Sequence, residues 1–167
     1  IPKPLIKIGK ITLLENCILK LKDFGIVEVT INTHHLANEI ENYIRNKNFG
    51  LKISIVKEKI ILDTGGGILN ATAKYNDEPF IVLNPDTIWN ENHVGEFEIL
   101  EKTYFDKKFV TLLLVNKDKS FDKDLTGDFN INKNGLISRD KKNNMIYTGA
   151  QIIDRKIFGD FSVKSFS

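Results

Sequence analysis

An α/β fold, with helices on both faces of a mostly parallel sheet, follows from three features of the sequence. Between Leu13 and Val115, segments of strand periodicity alternate with segments of helical periodicity. Two runs, Phe80–Leu83 and Val110–Val115, are almost continuously apolar, the texture of strands covered on both sides. From about Asn116 the texture changes. Asn134-Gly135, between two short alternating stretches, signals a hairpin, so antiparallel strands are expected to lean over one edge toward the C-terminal end. Together these predict a three-layer, Rossmann-like α/β/α arrangement.

Taken in order, Leu13, Leu14, Cys17, Ile18 and Leu21 recur at helical spacing and Gly25 stands at a natural stop, which predicts a helix over Leu13–Phe24. Val27, Val29 and Ile31 then alternate within a strand. Leu36, Ile40 and Ile44 return to helical spacing, and Leu51, Ile53 and Ile55 alternate again. After a run of three glycines a short helix is expected over Ile68–Lys74, followed by a strand at Pro79–Asn84, a helix within Val94–Phe105 and a strand at Phe109–Val115. The polar stretch Asn116–Thr126 reads as a mobile loop, and no internal repeat is present.

With 41% hydrophobic and 28% charged residues, the 167-residue chain is expected to form one domain with a core of its own. It opens Ile1-Pro2-Lys3-Pro4 without Met, which predicts a piece of a longer protein. Basic and acidic side chains, 24 against 22, are scattered, so neither nucleic acid nor a membrane surface is an expected partner and any bound anion must be met locally. The apolar runs are too short to cross a bilayer. Cys17 is the single cysteine, which excludes an internal disulfide and suits a reducing cytoplasm; it reads as a buried apolar residue. His34 and His35 are adjacent and point apart, a poor pair of metal ligands. No Ser sits in a G-x-S-x-G elbow.

Open α/β sheets bind ligands beyond the carboxyl ends of their strands, which directs attention to three places. The first is Gly65, Gly66 and Gly67, preceded by Thr64. This run fits neither a P-loop nor G-x-G-x-x-G, and two readings stand: a flat ligand such as a nucleobase lying on bare main chain, or a tight helix-entry turn with no ligand. The second is Asp86, just after a buried strand. Its carboxylate is either a Mg²⁺ ligand facing the crevice or part of an Asx turn helped by Pro85. The third is Lys3, whose flanking prolines stiffen the backbone; its ammonium is either aimed at a ligand or simply solvated.

The order of these pieces carries a resemblance. "PKPLIKIG", "VTINTHHLANEIENYI", "LDTGGGILNA", "LNPDTIW", "TGDFNIN" and "YTGAQIID" together resemble the sugar-1-phosphate nucleotidyltransferases of the nucleotide-diphospho-sugar transferase fold. Within that family the similarity is to the mannose-1-phosphate guanylyltransferase-like branch, which includes N-acetylmuramate-1-phosphate uridylyltransferases. The resemblance implies that Lys3 contacts phosphate, that Thr64 and Gly65–Gly67 receive the nucleotide base, that Asp86 holds Mg²⁺, and that Gly127, Asp128, Thr148 and Gly149 line the sugar pocket. It implies a nucleoside triphosphate and a sugar 1-phosphate as partners, with a phosphate oxygen of the sugar attacking the α-phosphorus in line and pyrophosphate leaving.

The sequence departs from the family pattern in three ways. The family's opening strand, with its glycine-rich, arginine-bearing loop, is not in this sequence, and neither is its later Trp-x-x-x-Gly-Thr segment with a second metal ligand. Pro85 stands where many members have Gly. Two other readings are weighed against the first. A polyol-phosphate cytidylyltransferase is disfavoured because its Asp-Ala-Ala-Arg-Pro segment is replaced by "PDTIWNEN". A nucleotide-binding sensor or partner-binding domain without turnover is the reading that the missing triphosphate loop would favour.

Overall fold

A computed structural model describes residues 1–76, 78–140, 142–159 and 161–167. After a 3₁₀ turn at Lys3–Leu5 and a small hairpin of β1 (Lys7–Ile8) and β2 (Ile11–Thr12), helix α1 runs from Leu13 to Asp23. The Thr12 hydroxyl caps it by accepting the Glu15 N–H at 3.1 Å. Gly25, at φ 94°, lets Ile26 N–H reach Leu21 O and Gly25 N–H reach Lys22 O, the paired bonds of a Schellman end. Start and stop therefore fall where the sequence places them.

Strands β3 (Glu28–Thr33) and β4 (Lys52–Lys57) pair in parallel, joined through helix α2 (Ala37–Arg45). Ile40 and Ile44 of α2 bury against Leu14 and Ile18 of α1, with Ile31, Ile53 and Ile55 of the strands beneath them. A side-chain relay fastens the two helices: Thr12 Oγ1 donates to Tyr43 Oη, which donates to Glu15 Oε2 at 2.7 Å, and Lys47 Nζ donates to the same oxygen at 2.6 Å. Burial pushes the Glu15 carboxyl up, but the Lys47 and Tyr43 hydrogen bonds outweigh it and hold the group below its usual 4.5. A lowered folded-state value means a stabilisation present in full above the unfolded value and lost as pH falls through the folded one. The melting temperature should drop as pH falls below the usual 4.5, and Glu15→Gln should flatten part of that drop; identical acid limbs for the two proteins would argue against the relay.

Helix α3 spans Asp63–Ala71, β5 Phe80–Leu83, α4 Val94–Lys107 and β6 Thr111–Asn116. The hairpin expected around Asn134-Gly135 is formed by β7 (Asn130–Ile131) and β8 (Ile137–Ser138), with Gly135 at φ 81°. The last strand, β9 (Met145–Ile153), does not lean over an edge as the sequence implied. It lies between β5 and β6, antiparallel to both. Its apolar Ala150, Ile152 and Ile153 are buried, and pairing on two sides satisfies a backbone that an edge position would leave half exposed.

Among the described residues β3 bonds only to β4, and β5 only to β9, so each keeps an open edge. A cleft of about 540 Å³ runs between these edges. Ile18, Val29, Ile31, Ile81 and Leu83 line it, and Pro4 and Pro85 stand among its lining residues beside Lys3 and Asp86.

Candidate active site at the carboxyl ends of the strands

Lys3 and Asp86, 83 residues apart, meet directly: Lys3 Nζ donates to Asp86 Oδ2 at 2.7 Å. Lys3 is carried by the 3₁₀ turn, in which Leu5 N–H bonds Pro2 O and Leu5 buries against Leu14 and Ile18 of α1. Asp86 follows β5 through Asn84-Pro85. The two side chains are 68% and 43% exposed, so the pair contributes at most about 1 kcal/mol to stability and is open to a ligand.

The Asp86 loop is tied to β9. Asn84 N–H donates to Gly149 O at 2.8 Å and Thr87 Oγ1 to Thr148 O at 2.7 Å, while Thr148 Oγ1 donates to Leu113 O at 2.9 Å. The β6–β9 register shifts by two residues here, which sets Thr148, Gly149 and Ala150 opposite Leu113 in a bulge. Gly149 is required on two counts: its φ is 84°, and a Cβ there would lie 2.8 Å from Asn84 Cβ. Thr148 and Gly149 thus abut the Asp86 loop and hold it through their carbonyls, while the Thr148 hydroxyl is bonded to β6. Gly127 and Asp128 pack at the start of β9. Asp128 Oδ2 accepts Tyr147 N–H at 2.8 Å, and a Cβ on Gly127 would lie 2.5 Å from Asn143 O. Burial pushes the neighbouring Tyr147 phenol up to about 12, so it stays neutral.

The glycine run calls for a correction. Gly65, Gly66 and Gly67 do not form a loop ahead of a helix at Ile68; they lie in the first turns of α3. Nor is their main chain bare. The N–H groups of Gly65 and Gly66 donate to Phe166 O at 2.9 and 3.1 Å, and Phe166 N–H donates to Leu62 O at 3.1 Å. A Cβ on Gly66 would lie 2.1 Å from Lys164 O, and one on Gly65 2.5 Å from Phe166 Cε2. On Gly67 it would lie 2.8 Å from both Asn32 Nδ2 and Glu58 Oε1. The close approach read from the sequence is real, but at Gly65 and Gly66 the approaching group is the chain's own segment 164–166. Thr64 remains exposed at the helix start.

Two residues of α1, one unmentioned in the sequence reading and one read only as packing, support the Asp86 loop. Asn16 is buried and clamps the main chain of Trp89. Cys17, expected only as a buried apolar residue, also donates its thiol to Asn84 O at 3.6 Å. Burial, with the Asp86 charge adding to it, pushes that thiol up to about 12, so Cys17 is no nucleophile. A disulfide reagent such as DTNB at pH 8 should leave the folded protein unmodified and react fully once it is denatured; rapid labelling of the native form would contradict this placement. The signal for Asn16 was a lone amide among the apolar positions 13, 14, 17, 18 and 21.

Comparison with known proteins gives the family and the fold. The nucleotidyl transferase family model matches residues 1–121. The N-acetylmuramate alpha-1-phosphate uridylyltransferase of Caulobacter vibrioides is 26% identical over 167 residues, covering 95% of this chain and 69% of its own length. The D-glycero-alpha-D-manno-heptose 1-phosphate guanylyltransferase of Campylobacter jejuni is 29% identical over 169 residues, covering 98% of this chain and 72% of its own. Among solved structures, HddC from Yersinia pseudotuberculosis superposes with a TM-score of 0.81 at 22% identity, over 100% of this chain and 73% of that one, a likeness of fold. With the family model spanning most of its length and the fold shared throughout, the chain belongs to the nucleotidyl transferase family.

Proposed function

We propose that this nucleotidyltransferase joins the nucleoside monophosphate part of a nucleoside triphosphate to a sugar 1-phosphate, giving a nucleoside-diphosphate sugar and pyrophosphate. The observation that carries the assignment of residues is the Lys3–Asp86 contact at the carboxyl end of β5. Asp86 suits Mg²⁺: its carboxylate already takes one cation, the Lys3 ammonium, and among the described residues only Oδ2 is engaged. One or two carboxylates with substrate phosphate oxygens are a usual Mg²⁺ environment. When bound, the metal offsets charge on the phosphate oxygens.

The chain's own groups do the rest. The Lys3 ammonium, leaving Asp86 for a phosphate oxygen, binds and orients the triphosphate. The α1 and β9 anchors keep the Asp86 carboxylate fixed while a new bond forms from the sugar-phosphate oxygen to the α-phosphorus and the bond to pyrophosphate breaks. No protein nucleophile is needed, and positioning with charge compensation supplies the rate. Gly127 and Asp128, packed against the start of the strand that holds Thr148 and Gly149, are assigned to the sugar side. Exposed Thr64 is assigned to the base. The single buried thiol fits a cytoplasmic setting, and among the described residues no helix is long and apolar enough to cross a membrane.

The relatives' names point to uracil or guanine and to N-acetylmuramate or heptose phosphates as first choices. The purified protein should release pyrophosphate with Mg²⁺, UTP or GTP, and one of these sugar 1-phosphates. Lys3→Met should slow that release by about 100-fold, the low end of the loss expected for a charge-compensating donor. Silence across all base and sugar pairs, with the protein folded, would sink the reading.

A further inference from the structure

Helix α1 holds both ends of the loop that bears Asp86. At one end the Cys17 thiol donates to Asn84 O; at the other, the Asn16 side chain makes both bonds a peptide neighbour would make, Nδ2 donating to Trp89 O at 2.8 Å and Oδ1 accepting Trp89 N–H at 2.9 Å. Asn16 is 9% exposed and Trp89 3%, so water does not compete for these bonds. The Trp89 ring is wedged against Phe97 at 4.9 Å, which fixes the far end of the loop in the core formed with Leu100 and Tyr104. The same helix carries the Lys3 turn, through Leu13 N–H to Ile6 O at 3.0 Å and the burial of Leu5 on Leu14 and Ile18. Lys3 and Asp86 therefore share one rigid mount.

We propose that Asn16 is a positioning residue of the nucleotidyl-transfer site: by clamping Trp89 to α1 it sets where the Asp86 carboxylate stands relative to the Lys3 ammonium, and so how tightly a divalent cation is held. This rests on the reading of Asp86 as the metal ligand. A buried amide with two bonds to the main chain of one residue has no role in the backbone ladder of helix α1, and its removal strands a buried N–H and C=O on Trp89. Outer-shell groups of this kind tune metal affinity by about 10- to 100-fold.

Trp89 is the only tryptophan, so it reports on its own loop. Mn²⁺, a paramagnetic probe for the Mg²⁺ position, should quench Trp89 emission saturably in the unsubstituted protein. Asn16→Leu keeps the volume and loses both bonds; Asn16→Asp keeps the shape and the acceptor but sets a carboxylate oxygen against the Trp89 carbonyl. Each should weaken Mn²⁺ by about tenfold and raise the Mg²⁺ concentration for half-maximal pyrophosphate release by a similar factor, with kcat at saturating Mg²⁺ reduced less than about threefold. If Asn16→Leu does not fold, Asn16→Asp decides. Mn²⁺ affinity within twofold of the original in a natively folded variant overturns the proposal. Asp86→Asn separates the two readings: if it abolishes quenching while the Asn16 variants retain it, only the role of Asn16 falls, and if it leaves quenching unchanged, the Asp86 assignment falls and that of Asn16 with it.

Discussion

Pyrophosphate release should fall by about 10²- to 10³-fold when Asp86 is replaced by Asn, the loss typical of removing one preorganised electrostatic group from a transition state. The substitution keeps the shape of the side chain and removes only its charge. Stability should hardly change, because the bond it weakens is the exposed one to Lys3, and such pairs contribute at most about 1 kcal/mol. The Asp86 loop stays in place through bonds that do not involve the carboxylate, from Asn84 to Gly149, from Thr87 to Thr148 and from Asn16 to Trp89. A melting curve within about 2 °C of the original, paired with the rate loss, is the expected outcome. Activity within threefold of the original would remove Asp86 from the mechanism, and a collapse in stability would show that its role was structural.

Gly66→Ala should destabilise the protein, against what helix propensity alone dictates. Within a helix, Ala is preferred to Gly by about 1 kcal/mol. At this position the added methyl would lie 2.1 Å from Lys164 O and 3.1 Å from Leu62 Cβ. The first of these neighbours is main chain, which cannot swing aside as a side-chain tip does. Overpacking of this sort costs about 1–3 kcal/mol, so the net change is expected to lower the melting temperature by several degrees. If segment 164–166 lifts off instead, trypsin should cut after Lys164 in the variant sooner than in the original protein. A melting temperature that rises, with no new cleavage, would mean that the glycines are free of the segment and would restore the bare-backbone reading for a base.

The parts of this fold that sequence made legible are those governed by neighbours along the chain. The helical spacing from Leu13 and the stop at Gly25 gave the span of α1, because periodicity and left-handed φ are decided within a few residues. The alternation of Val29 and Ile31 with that of Ile53 and Ile55 made β3 and β4 readable, and the register pairs Val29 with Ile53 and Ile31 with Ile55 on one face. Lys3 and Asp86 were legible as separate chemical groups, and the structure brings them into contact. What stayed hidden depends on partners far away. Nothing local states that β9 enters between β5 and β6, because insertion and edge addition share the same alternation. The triple glycine announced a close approach without saying whose atoms approach. Asn16 stood out only as a lone amide among apolar positions, and its partner, Trp89, lies 73 residues on.

The bulge at Thr148–Ala150 has a mechanical consequence. A regular strand can creep past its neighbours by two residues and recover its hydrogen bonds, but β9 cannot, because such a step would carry Gly149 out of the one seat shaped for its left-handed turn and push a side-chain-bearing residue against Asn84. The strand is pawl and rack at once. Thermal agitation can fray its tips, yet the platform beneath the Asp86 loop stays in register until the whole ladder gives way.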